Sequence, residues 1–349
     1  MSAGVHRVSD LVERGLVKSA SAAGLNELVE RYALAITPAM ADLIDPHDPH
    51  DPIARQFVPD LREAETRPEE LDDPIGDAVH SPIEGIVHRY PDRVLLKLLH
   101  VCPVYCRFCF RREMVGPGAE QVLSASALDG ALHYIATHPD IWEVILTGGD
   151  PLALSPRRLA DVFKRLNDID HVKIVRIHTR VPAVDPARLN DAMMEALSAT
   201  TKTLYVALHA NHPRELGEAA AVALTRLVDA GIVLVSQTVL LKGVNDDVAT
   251  LAALMRRFVE LRVKPYYLHQ ADLAPGTSHF RVDLDVARAL VSDLRGQVSG
   301  LCQPAFVLDI PGGHGKVPIG PDHLAGTHVL DHKGRAHEYP APATGKPNF

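Results

Sequence analysis

The chain has 349 residues, of which 46% are hydrophobic, and a formal net charge of −8. This length and composition suit a large α/β domain with a buried core, and scattered basic residues in an acidic chain exclude a basic nucleic-acid-binding surface. No apolar run reaches the roughly 18 residues of a membrane span, and the N-terminus lacks the charged start and apolar stretch of a secretory signal. We therefore expect a cytoplasmic protein without a nucleic-acid or membrane partner.

Residues 1–45 are predicted to be helical, because "SDLVERGL" (9–16) begins with a serine cap and "GLNELVERYALAI" (24–36) has apolar residues at helical spacing. Residues 46–80 are rich in Pro and Asp, which predicts an irregular connector that wraps the next domain. The chain then divides into three parts. They are the helical region with its connector (1–80), a barrel domain (81–320) and a Pro/Gly/His-rich C-terminal tail with a short hairpin (321–349).

A regular alternation of strands and helices begins near residue 93. Seven apolar segments are predicted as buried strands: 93–99, 142–147, 172–179, 203–209, 232–241, 264–270 and 305–310. Helical patterns lie between most of them, at 126–138, 156–168, 186–199, 213–231, 246–262 and 283–300. Such alternation predicts an α/β fold with a parallel sheet covered by helices, here a partial (β/α)6-type barrel.

Polar, glycine-rich loops follow five of the predicted strands. They are "CPVYCRFCFRR" (102–112), "GGDPLALS" (148–155), "KGVNDD" (242–247), "ADLAPGTSHFR" (271–281) and "PGGHGK" (311–316). Because ligands bind at the C-terminal ends of barrel strands, we expect these loops to converge on one functional face.

Three of the four cysteines lie within eight residues, as Cys102, Cys106 and Cys109 in the spacing C-x3-C-x2-C. A structural zinc site needs four ligands, yet Cys302 is far away in sequence and no histidine lies inside the cluster. Three thiolates on a four-iron cluster would leave one iron open for catalysis. A zinc knuckle and three simply buried thiols remain the alternatives from the residues alone.

The spacing C-x3-C-x2-C on a loop after a strand resembles the radical S-adenosylmethionine (SAM) superfamily. The resemblance implies a [4Fe–4S] cluster on the three cysteines, SAM on the open iron, and Phe108 close to the adenine. "TGGDPL" (147–152) is similar to the superfamily's Gly-Gly-acid segment, so Gly148, Gly149 and Asp150 would contact the amino group of SAM. The histidines His178 and His209, at strand ends, either line the adenosyl site or pack in the core.

Lys316 is flanked by glycines in "PGGHGKVPI" (311–319). The spacing of a phosphate-binding P-loop is absent. A lysine on such a loop can form a Schiff base with an aldehyde cofactor such as pyridoxal phosphate (PLP), and the alternative is a lysine in a surface turn.

From about residue 50 to 320 the chain closely resembles the lysine 2,3-aminomutase family, whose members use both SAM and PLP. The motifs that carry the resemblance are, in order, "HRYPDRVLL", "CPVYCRFCFRR", "TGGDPL", "NHPREL", "LLKGVND", "HFR" and "PGGHGK". The resemblance implies that residues 81–320 form a radical SAM barrel with a PLP site.

Four residues match the cofactor positions of that family. Lys316 corresponds to the lysine that holds PLP as a Schiff base, and Arg89 and Arg93 to arginines at the cofactor phosphate. A guanidinium fork suits a phosphate group. Gln237 is a weaker match to the cofactor pocket.

Three further residues match the substrate positions. Arg111 corresponds to the arginine that binds the substrate α-carboxylate, and Asp272 and Asp309 correspond to two carboxylates that receive the ε-ammonium of lysine. Two buried carboxylates are costly without a cation, so a lysine substrate would neutralise them. Their alternative role is to cap loops.

The resemblance implies an isomerase that interconverts L-lysine and L-β-lysine by a radical 1,2-amino shift. An external electron donor would supply the electron that starts the radical reaction. Alternatives are an aminomutase for another amino acid, an enzyme that modifies a lysine of elongation factor P, and a non-catalytic metal-binding or electron-transfer protein. Some relatives carry C-terminal cysteines that bind zinc between subunits. No cysteine follows Cys302 here, so we do not expect this zinc site, and a homo-oligomer would have to form without it.

Overall fold

In a computed structural model, residues 4–116, 122–326, 328–331 and 333–338 of the chain are described. Nine strands form one sheet in chain order: β1 (Ile86–Tyr90), β2 (Arg93–Leu99), β3 (Glu143–Gly148), β4 (Ile174–Thr179), β5 (Thr203–His209), β6 (Val233–Leu240), β7 (Lys264–Gln270), β8 (Ala305–Ile310) and β9 (Gly315–Pro318). β2 to β8 are parallel neighbours, whereas β1 and β9 pair antiparallel at the two ends of the sheet.

The α-helices of the described residues are α1 (Val8–Glu13), α2 (Ala22–Arg31), α3 (Pro38–Ala41), α4 (Pro52–Phe57), α5 (Ala125–Ala136), α6 (Pro156–Asn167), α7 (Val181–Val184), α8 (Asp191–Leu197), α9 (Glu218–Asp229), α10 (Val248–Glu260) and α11 (Leu284–Gln297). Helices α5, α6, α8, α9, α10 and α11 each follow one of the strands β2 to β7 and cover the sheet. The predicted barrel of six βα units is therefore confirmed.

The helices pack because their apolar residues recur on one face. In α6, a serine cap and a proline in the first turn begin the helix, and its fully buried residues are spaced by three and four positions: Leu159, Val162, Phe163 and Leu166. The strands β2, β5, β7 and β8 begin and end where the sequence predicts. β1 and β9 are not among the predicted strands, since both are short and lie at the edges of the sheet.

The two ends of the sheet meet through side-chain and loop contacts. The backbone N–H of Lys316, on β9, donates to the hydroxyl of Tyr90, on β1, at 2.7 Å. A Cβ on Gly315 would lie 2.9 Å from the same hydroxyl, and a Cβ on Gly76 would lie 2.2 Å from the backbone nitrogen of Gly313. Gly315 and Gly76 are therefore required because the "PGGHGK" loop packs too closely against its neighbours to leave room for a Cβ at either position.

The region predicted to be helical, residues 1–45, contains α1, α2 and α3, but the segments between these helices are largely not helical. Tyr32 ends α2 in an extended conformation, and Val5 and Ile36 exchange two backbone hydrogen bonds of 2.9 Å. The prediction of a helix through residues 33–36 was wrong, because a pairing with a distant residue satisfies the backbone there.

A buried network of salt bridges joins the connector to the cysteine loop. Glu63 accepts hydrogen bonds from Arg107, at 2.7 to 3.1 Å, and from Arg112, and all three side chains are almost fully buried. Arg107 also donates to the carbonyl of Ala33 at 2.8 Å. Removing one partner of such a buried pair typically costs about 3–5 kcal/mol, so this contact strongly fixes the loop.

The tail adds a small antiparallel sheet of β10 (Leu324–Ala325), β11 (His328–Leu330) and β12 (Ala336–Glu338), where a hairpin was predicted. Residues 327, 332 and 339–349 of the predicted tail lie outside the described residues. The division of the chain at residues 80/81 and 320/321 stays a prediction. None of the helices in the described ranges is long and apolar enough to cross a membrane.

We expect Gly76→Ala to destabilise the protein more than Gly231→Ala. Both glycines have φ values in the left-handed region, +68° and +79°, but Gly231 has open space around its Cβ position. Gly231→Ala then bears only the left-handed cost of roughly 1–2 kcal/mol, whereas Gly76→Ala also drives a Cβ into the backbone of Gly313. Urea unfolding of both variants measures the difference, and equal losses would show that the 76/313 contact does not matter.

Candidate active site

The barrel interior is polar at the C-terminal half of its central strands. His178 on β4 faces Gln237 on β6, with 3.4 Å between their Nε2 atoms, and the ring of His209 lies 5.7 Å from that of His178. Burial lowers the pKa of all three interior histidines, His178, His209 (to about 3) and His269 on β7, so they are neutral at physiological pH. A neutral, hydrogen-bonding interior of this kind suits a bound polar ligand.

The three clustered cysteines line one small cavity. It is completed by residues of the N-terminal region and the loop itself: Tyr32, Ala33, Val104, Tyr105, Arg107, Arg112 and Val115. Burial raises the pKa of each thiol, to about 11 for Cys109, although backbone N–H groups reach Cys102 and Cys109 and the Arg180 guanidinium donates to Cys106 at 3.0 Å. Thiolates in such a site need a metal's charge, so the donor set fits a cysteine-ligated cluster.

No group of three His, Cys, Asp or Glu side chains in the described ranges is placed to hold a single metal ion. Cys102, Cys106 and Cys109 would instead hold a four-iron cluster, which would supply electron-transfer chemistry.

The "GGD" turn after β3 packs against the backbone that leads into the cysteines. A Cβ on Gly148 would lie 2.3 Å from the carbonyl oxygen of Leu99, and one on Gly149 would lie 2.2 Å from that of Val101. The carboxylate of Asp150 is buried and accepts hydrogen bonds from a threonine hydroxyl and two backbone N–H groups, at 2.7 to 3.0 Å. The side chain of Asp150 therefore shapes the turn, and only the backbone of the predicted segment is left to face a ligand.

Lys316 and Asp309 are direct cross-strand partners in the β8–β9 pair, and the Lys316 Nζ donates to the Asp309 carboxylate. The Nδ1 of His269 lies 3.2 Å from the same Nζ and 3.8 Å from the carboxylate. Burial alone would raise the pKa of Asp309, but His269 and the charge of Lys316 outweigh it and hold that pKa below its usual value. Lys316 is therefore an interior lysine with an acid and an imidazole at its amine, and its position in a surface turn is excluded.

Asp272, in the loop after β7, is close enough to Asp309 for the two charges to interact. Burial raises the pKa of Asp272 to about 7, and the charge of Asp309 adds to the rise. No residue in the described part of the chain donates a hydrogen bond to its carboxylate. The two aspartates thus share one cation, Lys316, and can accept a second.

Arg111 and Arg89 approach each other through Asp77. The two oxygens of Asp77 accept one hydrogen bond each, from Arg89 at 3.2 Å and from Arg111 at 3.0 Å. Arg111 also donates to the Thr147 hydroxyl on β3, at 3.3 Å. The Nε atoms of both arginines are buried and lack a hydrogen-bond partner among the described residues, so both guanidinium groups retain donors for an anion.

Arg93 is placed differently from the other predicted site residues. It lies at the start of β2, where its guanidinium pairs with Asp92 at 2.6 Å and stacks on the Tyr90 ring at 3.8 Å. It approaches Lys316 through Tyr90, whose hydroxyl accepts a hydrogen bond from the Lys316 backbone N–H.

Three residues near the site were not predicted from the sequence: Asp77, Arg180 and His269. His269 lies near the C-terminal end of a predicted strand, and the rule that ligands bind at strand ends could have found it. Arg180 follows β4 directly and was accessible by the same rule. Asp77 lies in the Pro/Asp-rich connector, where no local signal separates it from its acidic neighbours.

The comparisons with known proteins agree with this geometry. A model of the radical SAM superfamily matches residues 96–255. L-lysine 2,3-aminomutase of Clostridium subterminale is 40% identical over 301 residues, 86% of this chain and 72% of that protein. The enzyme of the same name from Escherichia coli is 36% identical over 82% of this chain and 83% of its own length. Glutamate 2,3-aminomutase of Clostridioides difficile is 34% identical over 86% of this chain and 70% of its own length.

The barrel, the cysteine loop and the superfamily match define a radical SAM enzyme, a class that implies a [4Fe–4S] cluster and SAM. Within that class the chain belongs to the lysine 2,3-aminomutase family, and it is an enzyme of the isomerase class.

We expect Cys102→Ser, Cys106→Ser and Cys109→Ser each to lose most of the cluster, because each would remove a ligand that no neighbouring thiol can replace. Iron and sulfide analysis after anaerobic reconstitution measures the loss, against about four iron atoms per chain in the unchanged protein. Cys302→Ala is the matched control, since Cys302 is buried in the hydrophobic core. Full iron content in any of the three serine variants would contradict the assignment.

Proposed function

We propose that the protein interconverts L-lysine and L-β-lysine by a 1,2-amino shift that uses PLP together with the cluster and SAM. The observation that carries the proposal is one barrel interior with a lysine amine beside two carboxylates and arginines that retain free donors. The names of the Clostridium subterminale and Escherichia coli relatives support the same substrate, since both are called L-lysine 2,3-aminomutase.

In the proposed site the substrate is held at both ends. When bound, the cluster and SAM would supply radical chemistry, and PLP, held by Lys316 until the substrate's α-amino group replaces that lysine, would supply the aldehyde carbon that holds the migrating nitrogen. Arg111 binds the α-carboxylate through its free donors, as a guanidinium does in a bidentate pair. Fixing both ends of a flexible chain presents one carbon to the radical, which is the main contribution that positioning makes to catalysis.

The two aspartates provide the selectivity of the proposed site. Asp309 has Lys316 as its cation, whereas Asp272 has a raised pKa and no donor in the described part of the chain, so an ammonium group completes the set. A substrate whose side chain ends in a carboxylate would be repelled by the carboxylates of Asp272 and Asp309. Such repulsion weakens binding by roughly several kcal/mol. The glutamate-specific relative therefore provides a useful contrast, and lysine is the better substrate for this chain.

His269 has a role at the Lys316 amine. Its imidazole is neutral, because burial and the charge of Lys316 lower its pKa, so Nδ1 can accept a hydrogen from the Lys316 ammonium at 3.2 Å. This contact orients the Lys316 nitrogen, which must reach an aldehyde carbon for a Schiff base to form.

The direct test is an anaerobic assay of the reconstituted protein with PLP, SAM, a reductant and L-lysine, with β-lysine detected by mass spectrometry. We expect β-lysine from the unchanged protein and none from Lys316→Ala, which should still bind its cluster. L-glutamate and L-arginine serve as competing substrates. Formation of 5′-deoxyadenosine without β-lysine from lysine would leave the radical chemistry standing and overturn the substrate.

We expect lysine binding to weaken as the pH falls through 7. A cation binds beside Asp272 only in its carboxylate form, so below the pKa of about 7 a proton must leave first. The Kd for L-lysine should then rise by up to about tenfold per pH unit. The measurement is a titration without SAM at roughly pH 6 to 8, in the unchanged protein and in Asp272→Asn.

Two controls separate this effect from other titrations. L-norleucine, which lacks the ε-ammonium, should show no such pH dependence, and the Asp272→Asn variant should bind lysine weakly with a flatter profile. An equal slope in Asp272→Asn would remove Asp272 from the ammonium site.

A further inference from the structure

Asp77 connects the two predicted anion-binding arginines, although it belongs to the irregular connector. Its side chain is only 4% exposed, and each carboxylate oxygen serves a different guanidinium, Arg89 at 3.2 Å and Arg111 at 3.0 Å. Each arginine makes a second contact away from Asp77: Arg89 donates to the carbonyl of Ile75 at 2.7 Å, and Arg111 to Thr147. The carboxylate therefore fixes the distance and angle between two guanidinium groups that come from different elements.

Asp77 lies among three cations and two further carboxylates. Lys97, on β2, lies close enough to Asp77 and Arg111 to interact with both charges. Asp73 is near Lys97, and Asp272 is near enough to interact with Asp77 and Arg111. The guanidinium groups of Arg89 and Arg111, with their unused donors, suit two anionic groups of bound ligands.

The turn that carries Asp77 is itself held rigidly. The carboxylate of Asp73 accepts hydrogen bonds from the backbone N–H groups of Asp77 and Ala78, both at 2.8 Å. Three residues further on, His80 contacts the Gly313 carbonyl at 2.9 Å, in the loop that leads to Lys316. The Asp77 carboxylate is thus positioned relative to the predicted PLP lysine as well as to both arginines.

We propose that Asp77 is a positioning residue that holds Arg89 and Arg111 in register, so that the phosphate of PLP and the carboxylate of the substrate bind in a fixed relative orientation. The proposal rests on the proposed function. It follows that loss of the negative charge should not weaken either anion, because the local charge becomes more positive. It should instead loosen the orientation in which the cofactor and substrate are held.

The experiment compares Asp77→Asn, Asp77→Glu and Asp73→Asn with the unchanged protein, each reconstituted with its cluster. The first readout needs no turnover: PLP is titrated, and the Kd and the induced circular dichroism of the Schiff-base band per bound PLP are measured. The second readout is kcat and KM for L-lysine. Asp73→Asn is the matched control, because it removes a neighbouring negative charge that touches no arginine and keeps an amide oxygen that can still accept a hydrogen bond from the turn.

For Asp77→Asn we expect a Kd for PLP that does not rise, an induced circular dichroism signal reduced at least twofold, and a kcat reduced at least tenfold with an unchanged or lower KM. Asp77→Glu should recover part of both losses. A circular dichroism signal and a kcat within the error of the unchanged protein would overturn the proposal. So would equal losses in Asp73→Asn, or a rise in both Kd and KM, since these would assign Asp77 a purely structural role.

Failure of the proposed function is distinguishable from failure of this inference. If the unchanged protein binds PLP but does not convert lysine, the substrate is wrong and the circular dichroism comparison still decides the role of Asp77. If the unchanged protein does not bind PLP, both are overturned.

Discussion

The site depends on the hydrogen bond between the Lys316 backbone and the Tyr90 hydroxyl, because it joins the two ends of an otherwise open sheet. The ladder pairs each of the nine strands only with its neighbours in chain order, so this contact brings β9 across to β1. Gly315 and the 76/313 packing permit the approach. As a result the amine of Lys316, on the last strand, and the guanidinium of Arg89, on the first, belong to the same interior.

Charge balance inside the barrel follows from that closure. Asp77 and Asp309 each form a direct ion pair, whereas Asp272 has no hydrogen-bond donor among the described residues, and burial raises its pKa to about 7. Buried charges of this kind are stabilised only by well-placed partners. The interior is therefore prepared for a ligand with an anion near the arginines and a cation near the aspartates, which is the charge pattern of an amino acid with a basic side chain.

Local sequence patterns determined the parallel strands well, because buried β-branched segments flanked by polar loops have few other structures open to them. The C-x3-C-x2-C spacing likewise indicated the radical SAM superfamily, since it needs particular residues close together in sequence. The glycines around Lys316 did not by themselves distinguish a cofactor lysine from a surface turn, and the role of Lys316 stays a prediction. Where contacts join distant segments, prediction failed or had no basis. Residues 33–36 looked helical but pair with Val5, and β9 is defined by its pairing with β8.

Asp77 is the clearest case of information that the sequence does not carry locally. It lies 12 residues from Arg89 and 34 from Arg111, in a stretch whose composition predicts only irregularity. Its partners become visible when the connector folds over the barrel. Arg93 shows the opposite case. A family motif assigned it to the PLP phosphate, whereas in the structure its guanidinium pairs with Asp92 and stacks on the Tyr90 ring.

The contact between Lys316 and Asp309 has a consequence for the order in which the holoenzyme assembles. If Asp309 receives the ammonium of a lysine substrate as proposed, the Lys316 ammonium is an internal competitor for that carboxylate. A Schiff base at Lys316 would remove this full ammonium and leave Asp309 available. Cofactor loading would then precede substrate binding, and the protein would not sequester free lysine before it is competent to transform it.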